Sequence, residues 1–424
     1  MLVTIVGAGI GGLTAALSLH AAGIDVRVYE SAREMKALGF GINLQPNAAR
    51  ELIELGLGEM LAQTAIETAS LSYYNKWGQL IWSEPRGRAA GYAWPQYAIE
   101  RGDLQAILLD AVKARIGSEG VLTGHHFVSF EQDDLGVTAY FVERANGKRL
   151  ASTRSDVLIA CDGIHSAVRA QLYPAEGPPV GSGRVHWRGA AEAEPFLGGR
   201  AHATMGFSNQ RAVVYPMSRK AAERGRSRLS WVVAVPAPEA DGNLSWGRKV
   251  SNDLVFETFA HWNFDWLQFS KLIYRTTDIY EYPEADRNPL PRWTFGRVTL
   301  LGDAAHPMRP VGAQAGSQAV IDARVLAFVL ANSSTPREAL ERYDAQRRPA
   351  MNNMVLRNRE FGPAIIMELV EKRAPQGFDK IEDVITRKEL EKISVTYKAE
   401  AGFDLAALNQ RGTLSTVRSD SQRP

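Results

Sequence analysis

Three segments of this sequence combine residue types and spacing that can do chemistry: Gly7-Ala8-Gly9-Ile10-Gly11-Gly12, Cys161-Asp162-Gly163 and Leu301-Gly302-Asp303-Ala304-Ala305-His306-Pro307. In the first, Gly7 permits a tight turn, Gly9 lets the backbone approach a pyrophosphate, and Gly12 lets a helix pack closely on a strand. Ile10 and Gly11 fall where that helix starts, and its free N–H groups and positive dipole end favour phosphate. Glu30 follows roughly 20 residues after the loop, the place from which a carboxylate accepts hydrogen bonds from a ribose. Asp162 and Asp303 each end a run of apolar residues. An acid at the carboxyl end of a parallel strand points into the ligand crevice, where it can accept hydrogen bonds from ligand hydroxyls. The chemistry so far is dinucleotide binding.

The elements that must position these residues are legible around them. Leu2-Val3-Thr4-Ile5-Val6 is a short β-branched run suited to a buried parallel strand. After the glycine loop, Leu13, Ala16, Leu17 and Leu19 recur at helical spacing, and Asp25–Tyr29 reads as the next strand. Asp156–Ala160 and Val298–Leu301 are further buried strands. Helices are predicted over 50–61, over 103–116 with Arg101-Gly102-Asp103 as its cap, and over 262–273, 317–330 and 339–358. Strands are predicted over 70–74, 80–83, 121–131 and 137–144, with Asp133-Asp134-Leu135-Gly136 as the turn. Between residues 180 and 235 the period changes to short strands, which suggests an antiparallel sheet. The basic stretch 219–228 reads as a solvated hairpin tip. The expected architecture is therefore α/β, a Rossmann-like domain interrupted by a mainly antiparallel β domain. Residues 1–72, 98–180 and 287–350 form the first, residues 73–97 and 181–286 the second, and 351–424 a helical C-terminal segment and polar tail.

Composition excludes several classes. The chain of 424 residues is 45% hydrophobic and 23% charged, ordinary globular values. A net charge of +2 implies neither a nucleic-acid nor an anionic-membrane partner. No apolar run approaches the ~18 residues of a membrane helix, and the sequence opens directly on a strand rather than on a leader. The one cysteine, Cys161, excludes an internal disulfide framework and fits a reducing compartment, so a cytoplasmic protein is expected. It reads as a small buried residue, not a nucleophile. No metal-ligand spacing is present; adjacent strand residues such as His125 and His126 face opposite sides.

The three motifs in this order resemble those of the class A flavoprotein monooxygenases, the para-hydroxybenzoate hydroxylase superfamily. Its phenazine hydroxylase branch is most similar, through Leu38–Pro46, Trp82–Gly87, Gly163–Ala170 and Leu300–His306. The resemblance runs from residue 1 to about Asn358. It implies a glutathione-reductase type FAD domain. Gly7, Gly9, Ile10, Gly11 and Gly12 would hold the pyrophosphate, Glu30 the adenosine ribose, and Gly302-Asp303 the ribityl chain. Arg101 would approach the pyrophosphate, Val128 the adenine, Gly41 and Ile42 the flavin ring, and Asp162 both FAD and the reduced nicotinamide. Pro310, Gly312, Ala313, Gln314 and Gly316 would form the loop at the flavin edge, where Ala315 and Ser317 depart from the usual glycine and asparagine. NADH or NADPH would bind transiently, and O2 would add to the flavin C4a so that its hydroperoxide hydroxylates a small aromatic or heteroaromatic substrate.

Substrate contacts are expected from the antiparallel sheet and the flavin loop, with Trp187, Arg188, Met205, Tyr215 and Trp231 as candidates because flat ligands favour aromatic and Met walls. His306 is expected to pack beside the flavin rather than act as a base, and no acid or base is identified. Three alternatives stay open: a same-fold Baeyer–Villiger oxygenase, a dehydrogenase, and a non-catalytic FAD-binding protein. A monomer or a homodimer fits the sequence equally.

Overall fold

The structure, a computed structural model, describes residues 1–35, 40–237 and 246–414. Leu38 and Gly39, and the tail from residue 415, lie outside the described residues.

Strands β1 (Leu2–Val6), β2 (Asp25–Tyr29), β3 (Val121–Leu122), β4 (Val157–Ala160) and β5 (Val298–Leu300) form a parallel sheet in the order β5-β4-β1-β2-β3. Thr294–Phe295 pairs antiparallel on the β5 edge. β1 lies in the middle, and Val3, Ile5, Val157, Leu158 and Ile159 are fully buried. That burial on both faces is why the strands read as continuous apolar runs. Helix α1 (Ile10–Ala21) packs against α2 (Arg101–Ile116) and α4 (Ala315–Ala331); α3 (Ala167–Leu172) and α5 (Pro336–Arg359) complete the helices used below. A β-meander (126–132, 137–142, 153–155) covers one end.

The second sheet has eight strands, in spatial order 248–250, 279–286, 180–193, 227–236, 210–216, 201–207, 70–74 and 80–85. It is antiparallel except where Ala201–Phe207 runs parallel to Ser70–Tyr74. Helices Asn252–Phe259 and Phe269–Tyr274 close its outer face over Trp231, Trp262 and Phe269. A third layer, Ile365–Arg373 and Arg387–Glu400, packs on Leu71, Tyr73 and Ile81.

Several expectations need correction. The boundary at residue 72 cuts through strand Ser70–Tyr74, which belongs wholly to the eight-stranded sheet. Residues 262–268 are not helical: they form a tight ribbon, and it is the spacing of Trp262, Trp266, Phe269 and Ile273 at i, i+4, i+7 and i+11 that mimicked a helix there. The helix expected over 50–61 runs from Pro46 to Thr64 and breaks at Gly56, where φ is 77°. The strand expected over 121–131 is two strands separated by a turn at Gly124 (φ 74°). α2 starts at Arg101 itself, without a side-chain cap. The basic stretch is the exposed tip of the hairpin between strands 210–216 and 227–236, as expected; it adds a short helix, Arg219–Glu223, and Arg224, Arg226 and Arg228 pair with Glu192, Glu194 and Glu100.

Candidate functional site: a dinucleotide crevice facing the second sheet

The glycine loop turns sharply between β1 and α1. Gly7 has φ 101°, and a Cβ there would lie 2.5 Å from the Cys161 carbonyl oxygen. A Cβ on Gly12 would lie 2.0 Å from the Gly7 carbonyl oxygen, so the loop cannot close with any side chain at that position. Gly9 differs: its φ is −73° and nothing in the protein comes within 4 Å of a Cβ built on it. Gly7 and Gly12 are therefore required by the fold, whereas Gly9 leaves room that only a ligand would use. That pattern fits a dinucleotide pyrophosphate.

Glu30 is held at the loop by two donors, the N–H groups of Ala8 and Ala32, each at 2.8 Å. Gln105 adds a contact the sequence did not suggest, donating to the Ala8 carbonyl at 3.0 Å. Arg101 is exposed at the crevice start of α2, and Val128 is exposed on the outer strand of the meander. Asp162 behaves first as a helix cap: one carboxylate oxygen accepts from Ala167 N at 2.8 Å and Val168 N at 3.3 Å. Its other oxygen is buried without a partner, and burial pushes the carboxyl up. A ligand hydroxyl or amide would satisfy that atom. Beside it Cys161 is half-buried, and desolvation together with Asp162 and Asp322 raises its thiol well above the ordinary range. It stays a thiol, as a spectator would.

Asp303 is reached by water yet lies deep among protein atoms, and that desolvation pushes its carboxyl up against the opposing charges of His306 and Arg101. The segment that presents it is clamped from behind. Arg169 donates to the carbonyls of Ala304 at 3.1 Å and Ala305 at 2.9 Å while pairing with Glu176. His306 does pack structurally: its Nε2 lies 2.6 Å from Asp322, which also accepts from Arg347 Nε at 2.6 Å and from Gly302 N at 3.2 Å. Arg347 and His306 outweigh the desolvation of Asp322 and hold its carboxyl down at about 2. Sequence reasoning missed this acid; its signal was the one carboxylate in helix α4, within the run Ala319–Ala323 of otherwise apolar residues.

The loop after Asp303 meets the strand Gly41–Leu44. A Cβ on Gly316 would touch the Ile42 side chain at 2.6 Å, and Gln45 N donates to Ser317 Oγ at 3.0 Å. The hydroxyl that replaces an asparagine thus has a definite partner. Gly312 (φ 71°) and Ala313 (φ 53°) are both left-handed, and Gln314 Nε2 donates back to the Gly312 carbonyl at 3.0 Å. Pro310 is exposed at the loop tip. Gly41 N donates to Ser230 Oγ at 3.1 Å, which fastens this assembly to the second sheet.

The pleat of that sheet divides the five candidate substrate residues. Arg188 and Tyr215 share the face of Ser230 and look toward Gly41; a Cβ on Gly41 would meet the Tyr215 ring at 2.5 Å. Trp187, Met205 and Trp231 alternate to the opposite face and are packed in the core under the outer helices. This corrects their expected role: strand alternation, not aromatic content, decides who can reach a ligand. Trp187 Nε1 donates to Glu281 at 3.0 Å and Trp231 Nε1 to Thr276 at 2.9 Å, so both are satisfied structurally. On the crevice face, His202 stacks on Tyr215 with ring centroids 5.0 Å apart, a neighbour the sequence did not single out. Burial and Arg86 hold His202 down at about 3, hence neutral. Arg188 sits over the Tyr282 ring at 5.6 Å, its Nε is buried without a partner, and no described carboxylate pairs with it.

A parallel sheet with a glycine loop, an acid at each of two strand ends, and a second sheet facing the crevice defines a two-layered flavoprotein site. Comparison with known proteins agrees. The model of the FAD binding domain family matches residues 1–358. The chain belongs to this family of FAD-dependent hydroxylases. It is 46% identical over 362 residues to the phenazine 1,6-dicarboxylic acid hydroxylase of Lysobacter antibioticus, covering 84% of this chain and 89% of that one. It is 33% identical to the aurachin C monooxygenase/isomerase of Stigmatella aurantiaca, covering 85% and 88%. Among solved structures it resembles Klebsiella pneumoniae HpxO in complex with FAD and uric acid, with a TM-score of 0.75, 26% identity and coverage of 96% and 97%. No described helix is long and apolar enough to cross a membrane, and the described residues hold no group of three or more potential metal-ligating side chains.

Proposed function

We propose that this chain is an FAD-dependent, NAD(P)H-consuming monooxygenase that hydroxylates a flat heteroaromatic carboxylic acid of the phenazine type. The observation that carries the substrate class is Arg188: a guanidinium without a carboxylate partner, facing the crevice beside Tyr215 and Tyr282. Arg188 is half-buried with its Nε buried and unpartnered; such a cation is costly unless something anionic satisfies it, and Arg presents a fork matched to carboxylate. The carboxyl group of the L. antibioticus relative's named substrate suits that fork. Bound FAD supplies hydride acceptance and dioxygen activation. The residues of this chain do the rest: the glycine loop, Glu30 and Asp303 hold the dinucleotide, and the loop 310–314 sets N–H groups at the flavin edge. Arg188 anchors the substrate acid, while Tyr215 and Tyr282 flank it and exclude water. The two sheets act as the FAD-binding and substrate-binding units, in a cytoplasmic protein that works as a monomer or homodimer.

The test is NADH and NADPH oxidation by the purified yellow protein with phenazine-1,6-dicarboxylic acid, phenazine-1-carboxylic acid and 3-hydroxybenzoate, with product mass. Stimulated oxidation and a product heavier by one oxygen atom are expected with a phenazine acid. No stimulation by any of them refutes the reading. Arg188→Gln removes a charge-assisted pair worth about 2 kcal/mol, so kcat/KM should fall roughly 30-fold. Bound FAD should be retained. A carboxyl-free phenazine should be processed about equally by both forms; a matching loss there would show that Arg188 does not read the acid.

A further inference from the structure

The family match ends at residue 358, yet the helix Arg387–Glu400 beyond it touches the flavin loop directly. Tyr397 is buried, and its hydroxyl lies 3.4 Å from the Val311 carbonyl and 3.2 Å from Asn358 Oδ1. It also occupies the space beneath Gly312, where a Cβ would lie 2.0 Å from that hydroxyl. Burial pushes the phenol far up, so it remains a proton donor throughout the working range.

The loop needs such support. Ala313 adopts φ 53° without being glycine, a conformation that costs an L residue of order 1 kcal/mol. Strain of this kind persists only where the surroundings over-determine it. They do so here from three directions. Gln314 and Gln45 donate to the Gly312 carbonyl, at 3.0 and 3.4 Å. Gln318 Nε2 donates to Gln314 Oε1 at 3.1 Å and to the Ala401 carbonyl at 2.9 Å, and its Oε1 accepts from Arg347 at 2.7 Å. Asn47 Nδ2 reaches the Ala401 carbonyl as well, at 3.2 Å. The helix bearing Tyr397 is itself pinned to the second sheet: Lys398 and Ser394 meet Glu84 at 2.8 and 2.5 Å, and Glu84 pairs with Arg86.

We infer that the C-terminal helix is a built-in brace of the flavin loop, and that Tyr397 is a positioning residue holding the strained turn Gly312-Ala313 so that its N–H groups keep their aim. This rests on the flavoprotein reading above. It assigns to the segment beyond the family core a role in the redox properties of the site rather than in covering it.

The experiment compares the holoenzyme with Tyr397→Phe, which keeps the ring and removes only the hydroxyl, and with Asn358→Ala, which removes its acceptor. Aimed N–H groups favour the anionic reduced flavin. Both variants should therefore shift the bound-flavin midpoint potential negative, by up to the 30 mV that corresponds to a tenfold loss of that preference. The fraction of NAD(P)H electrons released as peroxide in the presence of phenazine-1,6-dicarboxylic acid should rise several-fold, with substrate KM changed less than twofold. Melting temperature and bound FAD should stay near the parent's. An unchanged potential in both variants overturns the inference, as does a fall in KM-governed binding alone. A parent that binds FAD but hydroxylates none of the tested acids would sink the functional reading, and the potential comparison would still decide this one.

Discussion

Gly9→Ala is expected to give a folded protein without FAD, and Gly12→Ala a chain that does not reach the native fold. The sequence assigns the two glycines different tasks, and their surroundings differ accordingly. A methyl at Gly12 would sit 2.0 Å from a backbone oxygen of the same loop, which cannot yield without separating α1 from β1. That packing underlies the main core, where Leu13, Leu17 and Ile5 are fully buried. A methyl at Gly9 meets no protein atom within 4 Å, and the backbone there is extended, which alanine adopts freely. It would instead project to where a pyrophosphate must approach, and affinity for FAD should drop by at least 100-fold, about 3 kcal/mol. Flavin absorbance after purification and a thermal melt check both halves. A yellow Gly9→Ala protein would mean that the dinucleotide does not use this loop.

The second large effect is expected at Asp322. Its carboxylate is fully buried between His306, Arg347 and the Gly302 N–H, and Asp322→Asn leaves a cationic guanidinium without its counter-charge in the interior. Breaking such a buried pair from one side costs on the order of 3 kcal/mol. The pH dependence follows from the direction of the shift. The folded carboxyl sits at about 2, below its ordinary value of 3.8, so the stabilisation is complete above about pH 4 and is lost as the pH falls toward 2. By linkage that depressed value accounts for about 2.5 kcal/mol. Urea unfolding of the parent and Asp322→Asn should show the full deficit at pH 7 and a narrowing gap below pH 4. A pH-independent gap would mean that the carboxylate's charge is not what the network uses.

The dinucleotide half of the site was legible because its determinants are local. The loop Gly7–Gly12, the acid Glu30 and the acids Asp162 and Asp303 sit at strand ends, and strand ends are marked by apolar runs and glycines within a few residues. The parallel sheet followed for the same reason: β1, β4 and β5 are buried on both faces, and their sequences say so, while β2 alternates exposed Asp25 and Arg27 with buried Val26 and Val28. The substrate half was legible only as a sheet. Which residues of it face the flavin depends on register, and a one-residue difference exchanges the faces, so Arg188 and Tyr215 reach the crevice while Trp187 and Trp231 cannot. The ribbon 263–268 was misread because Trp262, Trp266, Phe269 and Ile273 fall at helical intervals although only the last two lie on a helix.

The sequence by itself determined the class of ligand, the parallel sheet that carries it and the acids that stand at its strand ends, because a strand–glycine–helix turn is a short-range object. Tertiary structure alone decided the rest. Asp322 became the partner of His306, Gln105 and Arg169 became supports of two loops, and the helix at Arg387–Glu400 arrived beneath Gly312. Each of these joins residues from separate elements. No local pattern encodes such a contact; it exists only once the sheets and helices have packed and the buried polar atoms have found the partners their desolvation demands.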